Sequence, residues 1–193
     1  TAGQAKGARD LELPPWTKGR YGTAVGRAVH AVLQTVDLGG GAPPEGTLDA
    51  AAFEDAVAAQ CLAEGVVEFT GVVSDLARSA LSSPLVARAA VRPHWRETWV
   101  ATTEADGTVL EGIVDLLYTE DDGTQVIVDY KTDAVPAAAL PVRAAYYRPQ
   151  INAYARALRA ATGRPVTGTL LFLHPAGPAV AVPVAVDGSQ HHR

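Results

Sequence analysis

The segment VIVDYKTD, residues 126–133, places an aspartate and a lysine two positions apart at the end of an apolar run. The β-branched residues predict a strand, in which successive side chains point to opposite faces of the sheet. Asp129 and Lys131 are therefore expected to share one face with Ile127. Because a strand this apolar is expected to be central, two opposite charges on one of its faces need a chemical or structural reason.

The elements around this strand predict an α/β domain with a mixed sheet. Asp-Gly turns separate the first three predicted strands, which is typical of hairpins. The predicted strands are WRETWVAT (95–102), TVLEGIVDLLYT (108–119), TQVIVDYKT (124–132), VTGTLLFLHP (166–175) and AVAVPVAV (179–186). Apolar residues at helical spacing predict helices over 22–36, 48–62, 72–90 and 141–161. Pro84 is expected to open a new helix, Gly163 to end the last one, and Pro183 to mark an edge strand.

The chain is interpreted as one domain preceded by an arm. Residues 1–21 mix Gly, Pro and charged residues, and are expected to form an arm or linker. The remainder, 22–193, is expected to divide into a helical lobe at 22–92 and an α/β core at 93–193. The sequence contains no methionine, which favours a piece of a longer polypeptide or a processed chain.

The composition excludes several classes of protein. No apolar run approaches the ~18–20 residues of a membrane span, and no basic-then-apolar start indicates a secretory signal. Cys61 is the only cysteine, so neither a disulfide framework nor a cysteine-ligated cluster can form within this chain. A cytoplasmic setting fits these observations.

The charges are unevenly distributed along the chain. The net charge of −5, taken alone, argues against a nucleic-acid partner. However, residues 29–77 contain eight acidic residues and neither Lys nor Arg, whereas 134–186 contain five arginines and no acid. Such polarity creates a local field that permits a polyanionic partner. Solvated helix faces of opposite sign explain it equally well.

Two aspartates on neighbouring predicted strands form the first candidate site. Asp115 interrupts the otherwise apolar GIVDLLY segment. If the two strands pair as a hairpin, Asp115 and Asp129 can lie close together. Carboxylates at close range repel and raise one another's pKa unless a cation lies between them, and a divalent metal is the ordinary solution. The alternatives are a buried ion pair with Lys131 and, for Asp115 alone, a structural hydrogen bond to a turn.

Two predicted helices contribute further candidates. His30 lies on the shoulder of an apolar helical stripe, and taken alone it is more typical of a boundary histidine than of a metal ligand. In the helix that follows the three strands, Gln150 and Tyr154 are four residues apart and share a face. Arg143 and Arg148 precede them near the predicted helix start, where free backbone N–H groups favour anions.

Four segments together resemble one known family. They are GTAVGRAVH (22–30), EGIVDLLY (111–118), VIVDYKTD (126–133) and YYRPQINAY (146–154). The chain is similar to the RecB-like branch of the PD-(D/E)XK nucleases, most closely to the C-terminal nuclease domain of bacterial helicase–nucleases of the RecB/AddA kind. The resemblance covers most of 20–175 and follows the family's motif order. It implies a restriction-endonuclease-like core, with a mixed central sheet flanked by helices, and an N-terminal helical lobe.

The resemblance also implies roles for individual residues. The implied ligands of a Mg²⁺ or Mn²⁺ ion are His30, Asp115, Asp129, the main-chain carbonyl of Tyr130 and Glu97, a position where relatives often keep an acid. The implied catalytic residues are Asp115, Asp129 and Lys131. The family's extra motif falls on Gln150 and Tyr154, and Arg143 and Arg148 are then interpreted as part of the DNA-facing edge. An iron–sulfur cluster, which relatives of the AddB type hold through four cysteines, is excluded by the single cysteine.

The implied activity is hydrolysis of DNA phosphodiester bonds without sequence specificity, in an exonuclease-type enzyme. The implied setting is the nuclease part of a bacterial, cytoplasmic helicase–nuclease in double-strand-break repair and recombination. Its partners would be DNA and a helicase domain of the same polypeptide or of a partner protein. Two alternatives remain: a catalytically inactive module that binds DNA or supports a helicase complex, and a stand-alone exonuclease of the same fold.

Overall fold

The computed structural model describes residues 24–39, 48–103 and 106–186. Its helices are α1 (Ala24–Thr35), α2 (Leu48–Glu64), α3 (Thr70–Leu81), α4 (Pro84–Ala90) and α5 (Leu140–Thr162). Its strands are β1 (His94–Thr103), β2 (Val109–Thr119), β3 (Gln125–Lys131), β4 (Val166–Phe172) and β5 (Val180–Val184). The predicted element order is therefore confirmed, with differences of a few residues at the ends. The predicted arm at 1–21 lies outside the described residues.

The four helices before the sheet form a lobe that packs through apolar faces. The buried apolar residues of α1 recur at helical spacing; they are Val25, Ala28, Val29, Val32 and Leu33. The helix α4 begins as predicted at Pro84, and the side chain of Ser83 caps it by accepting a hydrogen bond from the Leu85 N–H. Among the helices in the described ranges, none is long and apolar enough to cross a membrane.

The five strands form one mixed sheet in the order β1-β2-β3-β4-β5. The first three strands pair antiparallel, and β4 lies parallel to β3 after the crossover through α5. At the far edge β5 pairs antiparallel with β4, which confirms the edge position indicated by Pro183. The strand β3 is central, and all of its residues except Lys131 are buried.

Two apolar cores lie on opposite faces of this sheet. One joins the helical lobe to Val128 and Tyr130 of the central strand. The other joins α5 to Ile127 and Leu170. The alternation of side chains predicted for β3 is therefore observed, and α5 ends as predicted at Gly163, which has a left-handed φ of 67°.

The strands β1 and β2 change the direction of their side chains at one position. Along β2, Leu116 packs with the lobe and Val114 packs with α5, although residues two apart share a face in a regular strand. On β1, Glu97 has a φ of 48°, in the left-handed region that residues other than glycine rarely adopt. Neither Glu97 nor Asp115 belongs to the paired register of these strands. A local distortion of the backbone therefore sets the direction of these two acidic side chains, as β-bulges do beside functional sites.

Candidate metal centre

Three acidic residues lie at corresponding positions on three neighbouring strands. Continuing the register Leu116↔Val128 by one residue puts Asp115 opposite Asp129. Continuing the register of β1 and β2 in the same way puts Glu97 opposite Asp115. The hairpin of β2 and β3 considered from the sequence is thus present. The pairing of β1 with β2 brings a third acid, Glu97, to the same end of the sheet.

Asp115 connects this row of acids to the helical lobe. Its side chain is buried, and Oδ2 accepts a hydrogen bond from the backbone N–H of Tyr130 at 2.6 Å. Its other oxygen, Oδ1, lies 3.3 Å from Nδ1 of His30 on α1. Burial opposes ionisation of Asp115, but the charge of His30 and their hydrogen bond outweigh it and lower the pKa of Asp115. Asp115 is therefore a buried carboxylate that stays ionised.

His30 lies between two of the acids. Besides Asp115, its Nδ1 is 3.8 Å from Oε1 of Glu97. Burial alone would lower the pKa of His30, but the charge of Asp115 and the hydrogen bonds to both acids raise it to about 10. Ligand atoms of His30, Glu97 and Asp115 all lie within 4.8 Å of one another, close enough to share one metal ion. The imidazole of His30 thus lies at this centre rather than merely at the core boundary.

Asp129 is not among the three residues whose ligand atoms lie within 4.8 Å of one another. Its carboxylate is 2% exposed, and Oδ2 is 2.5 Å from Nζ of Lys131. Burial raises the pKa of Asp129 to about 6, a shift that the charge of Lys131 opposes and that of Asp115 increases. The sequence predicted that Asp129 and Lys131 share a face, and the structure confirms it. The ion pair considered as an alternative is also present.

Lys131 is held from several sides. Its Nζ donates a hydrogen bond of 3.4 Å to Oε1 of Gln150 on α5, besides its contact with Asp129. Burial would lower the pKa of Lys131, but Asp129 and Asp115 raise it above its ordinary value. The neighbouring carboxylates therefore favour the charged form of this side chain.

The two polar residues predicted to share a face of α5 interact directly. Nε2 of Gln150 donates to the hydroxyl oxygen of Tyr154 at 2.8 Å. The ring of Tyr154 passes over Gly112 of β2, where a Cβ atom would lie 2.3 Å from Cε1 of the ring. The glycine of the EGIVDLLY segment is therefore required for α5 to approach the sheet beside Asp115.

The two arginines of α5 have different environments. Nε of Arg143 donates to Oδ2 of Asp133 at 2.8 Å, so its charge is already compensated within the protein. Arg148 is exposed, but it lies more than two turns into α5, because the helix begins at Leu140. The prediction that Arg148 is near the helix start was therefore wrong, and the free N–H groups of the first turn lie too far away to act with it.

Sequence reasoning missed two residues beside Lys131. Asp133 accepts hydrogen bonds from Arg143 and from the hydroxyl of Tyr147, the latter at 2.6 Å. Two patterns pointed to them: Asp133 continues the two-residue alternation of Asp129 and Lys131, and Tyr147 lies three residues before Gln150 on the same helix face.

The charged groups of the centre leave a negative excess. His30 and Lys131 supply two positive charges against the three carboxylates of Glu97, Asp115 and Asp129. Carboxylate oxygens are the ligands that divalent cations prefer, and an imidazole is accepted more readily by Mn²⁺ than by Mg²⁺. The donor set therefore fits a divalent cation. As a ligand His30 would bind in its neutral form, because an imidazolium has no lone pair to offer a metal, so binding of the cation would release its proton.

Comparison with known proteins identifies similar sequences. The sequence profile of the PD-(D/E)XK nuclease superfamily matches residues 7–191. The ATP-dependent helicase/nuclease subunit of Desulforudis audaxviator is 32% identical over 164 residues, 78% of this chain and 13% of that protein. The protein of the same name from Thermoanaerobacter sp. is 28% identical over 169 residues, 81% of this chain and 14% of that protein. That of Levilactobacillus brevis is 41% identical over 85 residues, 42% of this chain and 7% of that protein. The chain thus spans 14% or less of the length of these relatives.

Proposed function

Because the chain belongs to the PD-(D/E)XK nuclease superfamily, we propose that its centre hydrolyses phosphodiester bonds of DNA with a divalent cation, Mg²⁺ or Mn²⁺. One observation carries the proposal. His30 and Glu97 converge on Asp115 within metal-sharing distance, directly beside the Asp129–Lys131 pair. A negative excess next to a fixed ammonium suits a cation and a phosphate together.

In this proposal the ligands of the cation are Asp115, Asp129, His30, the main-chain carbonyl of Tyr130 and Glu97. When bound, the cation lowers the pKa of a water molecule and neutralises charge on the phosphate. Lys131 supplies a second positive charge, and its N–H groups donate to the attacking water or to the developing oxyanion. The ammonium lies beside the Asp129 carboxylate, so Lys131 is placed to orient the water and to stabilise developing charge.

The similarity to helicase/nuclease subunits supports a wider context. We propose that the chain is the nuclease part of such a protein and that a helicase delivers its DNA. The exposed Arg148, with Gln150 and Tyr154 on the same helix, is assigned to the DNA-facing edge of α5. Because contacts to phosphate carry no base identity, cleavage is expected to be independent of sequence.

A cleavage assay tests this function. The 193-residue chain is incubated with end-labelled linear DNA and with circular single-stranded DNA, in Mg²⁺, in Mn²⁺ and in a chelator. Cleavage that depends on the metal is expected, and cleavage of the circle reveals endonuclease action. DNA binding without cleavage in either metal would instead favour an inactive DNA-binding module.

His30→Ala is expected to remove a preference for Mn²⁺. With an imidazole among the ligands, the wild-type chain should bind Mn²⁺ more tightly than Mg²⁺, and the variant should bind both with similar affinity. Isothermal titration calorimetry measures the two constants. His174→Ala is the matched control, because His174 is an exposed histidine after β4. A preference for Mn²⁺ that survives in His30→Ala would remove this residue from the ligand set.

Arg148→Ala is expected to weaken DNA binding and to flatten its dependence on salt. Loss of one phosphate contact lowers the slope of log K against log[salt] by about 0.7–0.9. Fluorescence anisotropy in a chelator gives this slope without cleavage. Arg164→Ala makes the same charge change past the far end of α5, about 20 Å away, and should leave the slope unaltered. Equal slopes for both variants would place Arg148 outside the interface.

A further inference from the structure

The ammonium group of Lys131 lies over the face of Tyr147, 4.1 Å from the ring centroid. We propose that Tyr147, anchored by Asp133, is a positioning residue that holds this ammonium for phosphodiester cleavage. The inference rests on the proposed nuclease function, and it adds two residues to which no role was assigned from the sequence.

The ring of Tyr147 is fixed by its own contacts. Its hydroxyl donates to Oδ2 of Asp133 at 2.6 Å, and the same oxygen accepts from Nε of Arg143 at 2.8 Å. The Arg143 guanidinium lies 5.0 Å from the centroid of the Tyr147 ring. The rings of Tyr146 and Tyr147 are nearly perpendicular, with their centroids 5.1 Å apart. A ring held at its hydroxyl, face and edge presents a fixed surface to Lys131.

A ring face suits this task better than another polar group. It attracts an ammonium ion through its negative quadrupole without accepting an N–H bond. Asp129 and Gln150 use two of the three N–H donors of Lys131, so the third stays available for water or phosphate. A carboxylate in the place of the ring would occupy a donor and neutralise the charge that the reaction needs.

Asp133 contributes by fixing the ring rather than by touching the ammonium. Its side chain is 15% exposed and accepts from both Tyr147 and Arg143. Because Arg143 compensates the charge of Asp133, this carboxylate anchors the hydroxyl without drawing Lys131 away from Asp129. Two side-chain contacts, Asp133 with Tyr147 and Tyr147 with Lys131, thus connect α5 to the end of β3.

Kinetics of two variants test the role. Tyr147→Leu removes the ring and should lower kcat about tenfold, equivalent to about 1.4 kcal/mol, with KM and Mn²⁺ affinity unchanged. Tyr147→Phe keeps the ring face and should retain kcat within about threefold. Wild-type kcat in Tyr147→Leu, or a parallel loss of Mn²⁺ affinity, would overturn the proposal.

A spectroscopic readout separates this inference from the nuclease function. The chain has only three lysines, Lys6, Lys18 and Lys131, so protein labelled with ¹³C at lysine Cε gives three resonances, and Lys131→Met identifies one. The Hε protons of Lys131 should be shifted upfield by the ring, and the shift should vanish in Tyr147→Leu but persist in Tyr147→Phe. An unshifted wild-type signal would overturn the positioning role. If the signal behaves as expected but no metal supports cleavage, the nuclease function fails and the contact between the two residues stands.

Discussion

Asp129→Asn is expected to lower the rate of DNA cleavage about 10³-fold, a loss of about 4 kcal/mol of transition-state stabilisation. Asp129 lies beside Lys131 and opposite Asp115, so it is placed to hold the cation next to the ammonium. An asparagine has nearly the same shape but no charge, which weakens binding of the cation and removes the partner that orients Lys131. The measurement combines single-turnover cleavage with titration of Mn²⁺.

Asp75→Asn is the matched control for this variant. Asp75 is an exposed residue of α3 in the helical lobe, so the same substitution there should change neither cleavage nor metal affinity. Near-UV circular dichroism establishes that both variants keep their tertiary structure. Full cleavage by folded Asp129→Asn would end the proposal that this carboxylate belongs to the catalytic set.

Lys131→Met is expected to lower kcat about 10²-fold while Mn²⁺ binds at least as tightly as before. The substitution removes the charge that stabilises the developing oxyanion, for which losses of about 10²–10³-fold are typical. It also removes a cation that competes for the oxygens of Asp129, so the affinity for the metal ion should rise. Opposite movements of kcat and metal affinity distinguish a catalytic ammonium from a structural ion pair, whose loss would lower both.

Chemical rescue makes this second test stricter. In Lys131→Cys, aminoethylation of the new thiol restores an ammonium at nearly the original position, and cleavage should recover in part. Cys61 is the only native cysteine and is buried, so it is shielded from the reagent in the folded protein. A modified protein that remains as slow as the unmodified variant would contradict a direct role for the charge.

The sequence predicted the fold because its signals are local. A strand alternates with a period of two, a helix with a period near 3.6, and turns carry their own residue preferences, so no knowledge of the partner element is needed. These signals placed β3 at the centre of the sheet, Pro183 at its edge and the end of α5 at Gly163. The proximity of Asp115 and Asp129 followed from the same reasoning, since a short turn joins their strands.

The contacts between side chains in the metal centre were harder to predict from the sequence. His30 reaches Asp115 from a helix 85 positions earlier in the chain (115 − 30), and only the packing of the lobe against the sheet determines their distance of 3.3 Å. Glu97 joins them through a left-handed backbone conformation that no sequence pattern indicated. The pairing of Arg143 with Asp133 is also absent from any motif, and it changes which charges of α5 face outward.

The amino-acid sequence by itself therefore determined the order of elements, the mixed sheet and the face that carries Asp129 and Lys131, because these depend on neighbours along the chain. Only the tertiary structure decided which charges meet: His30 with Glu97 and Asp115, Asp129 with Lys131, and Lys131 with the ring of Tyr147. The physical reason is that electrostatic partners are chosen by distance and burial across packed elements, and spacing along the chain specifies neither.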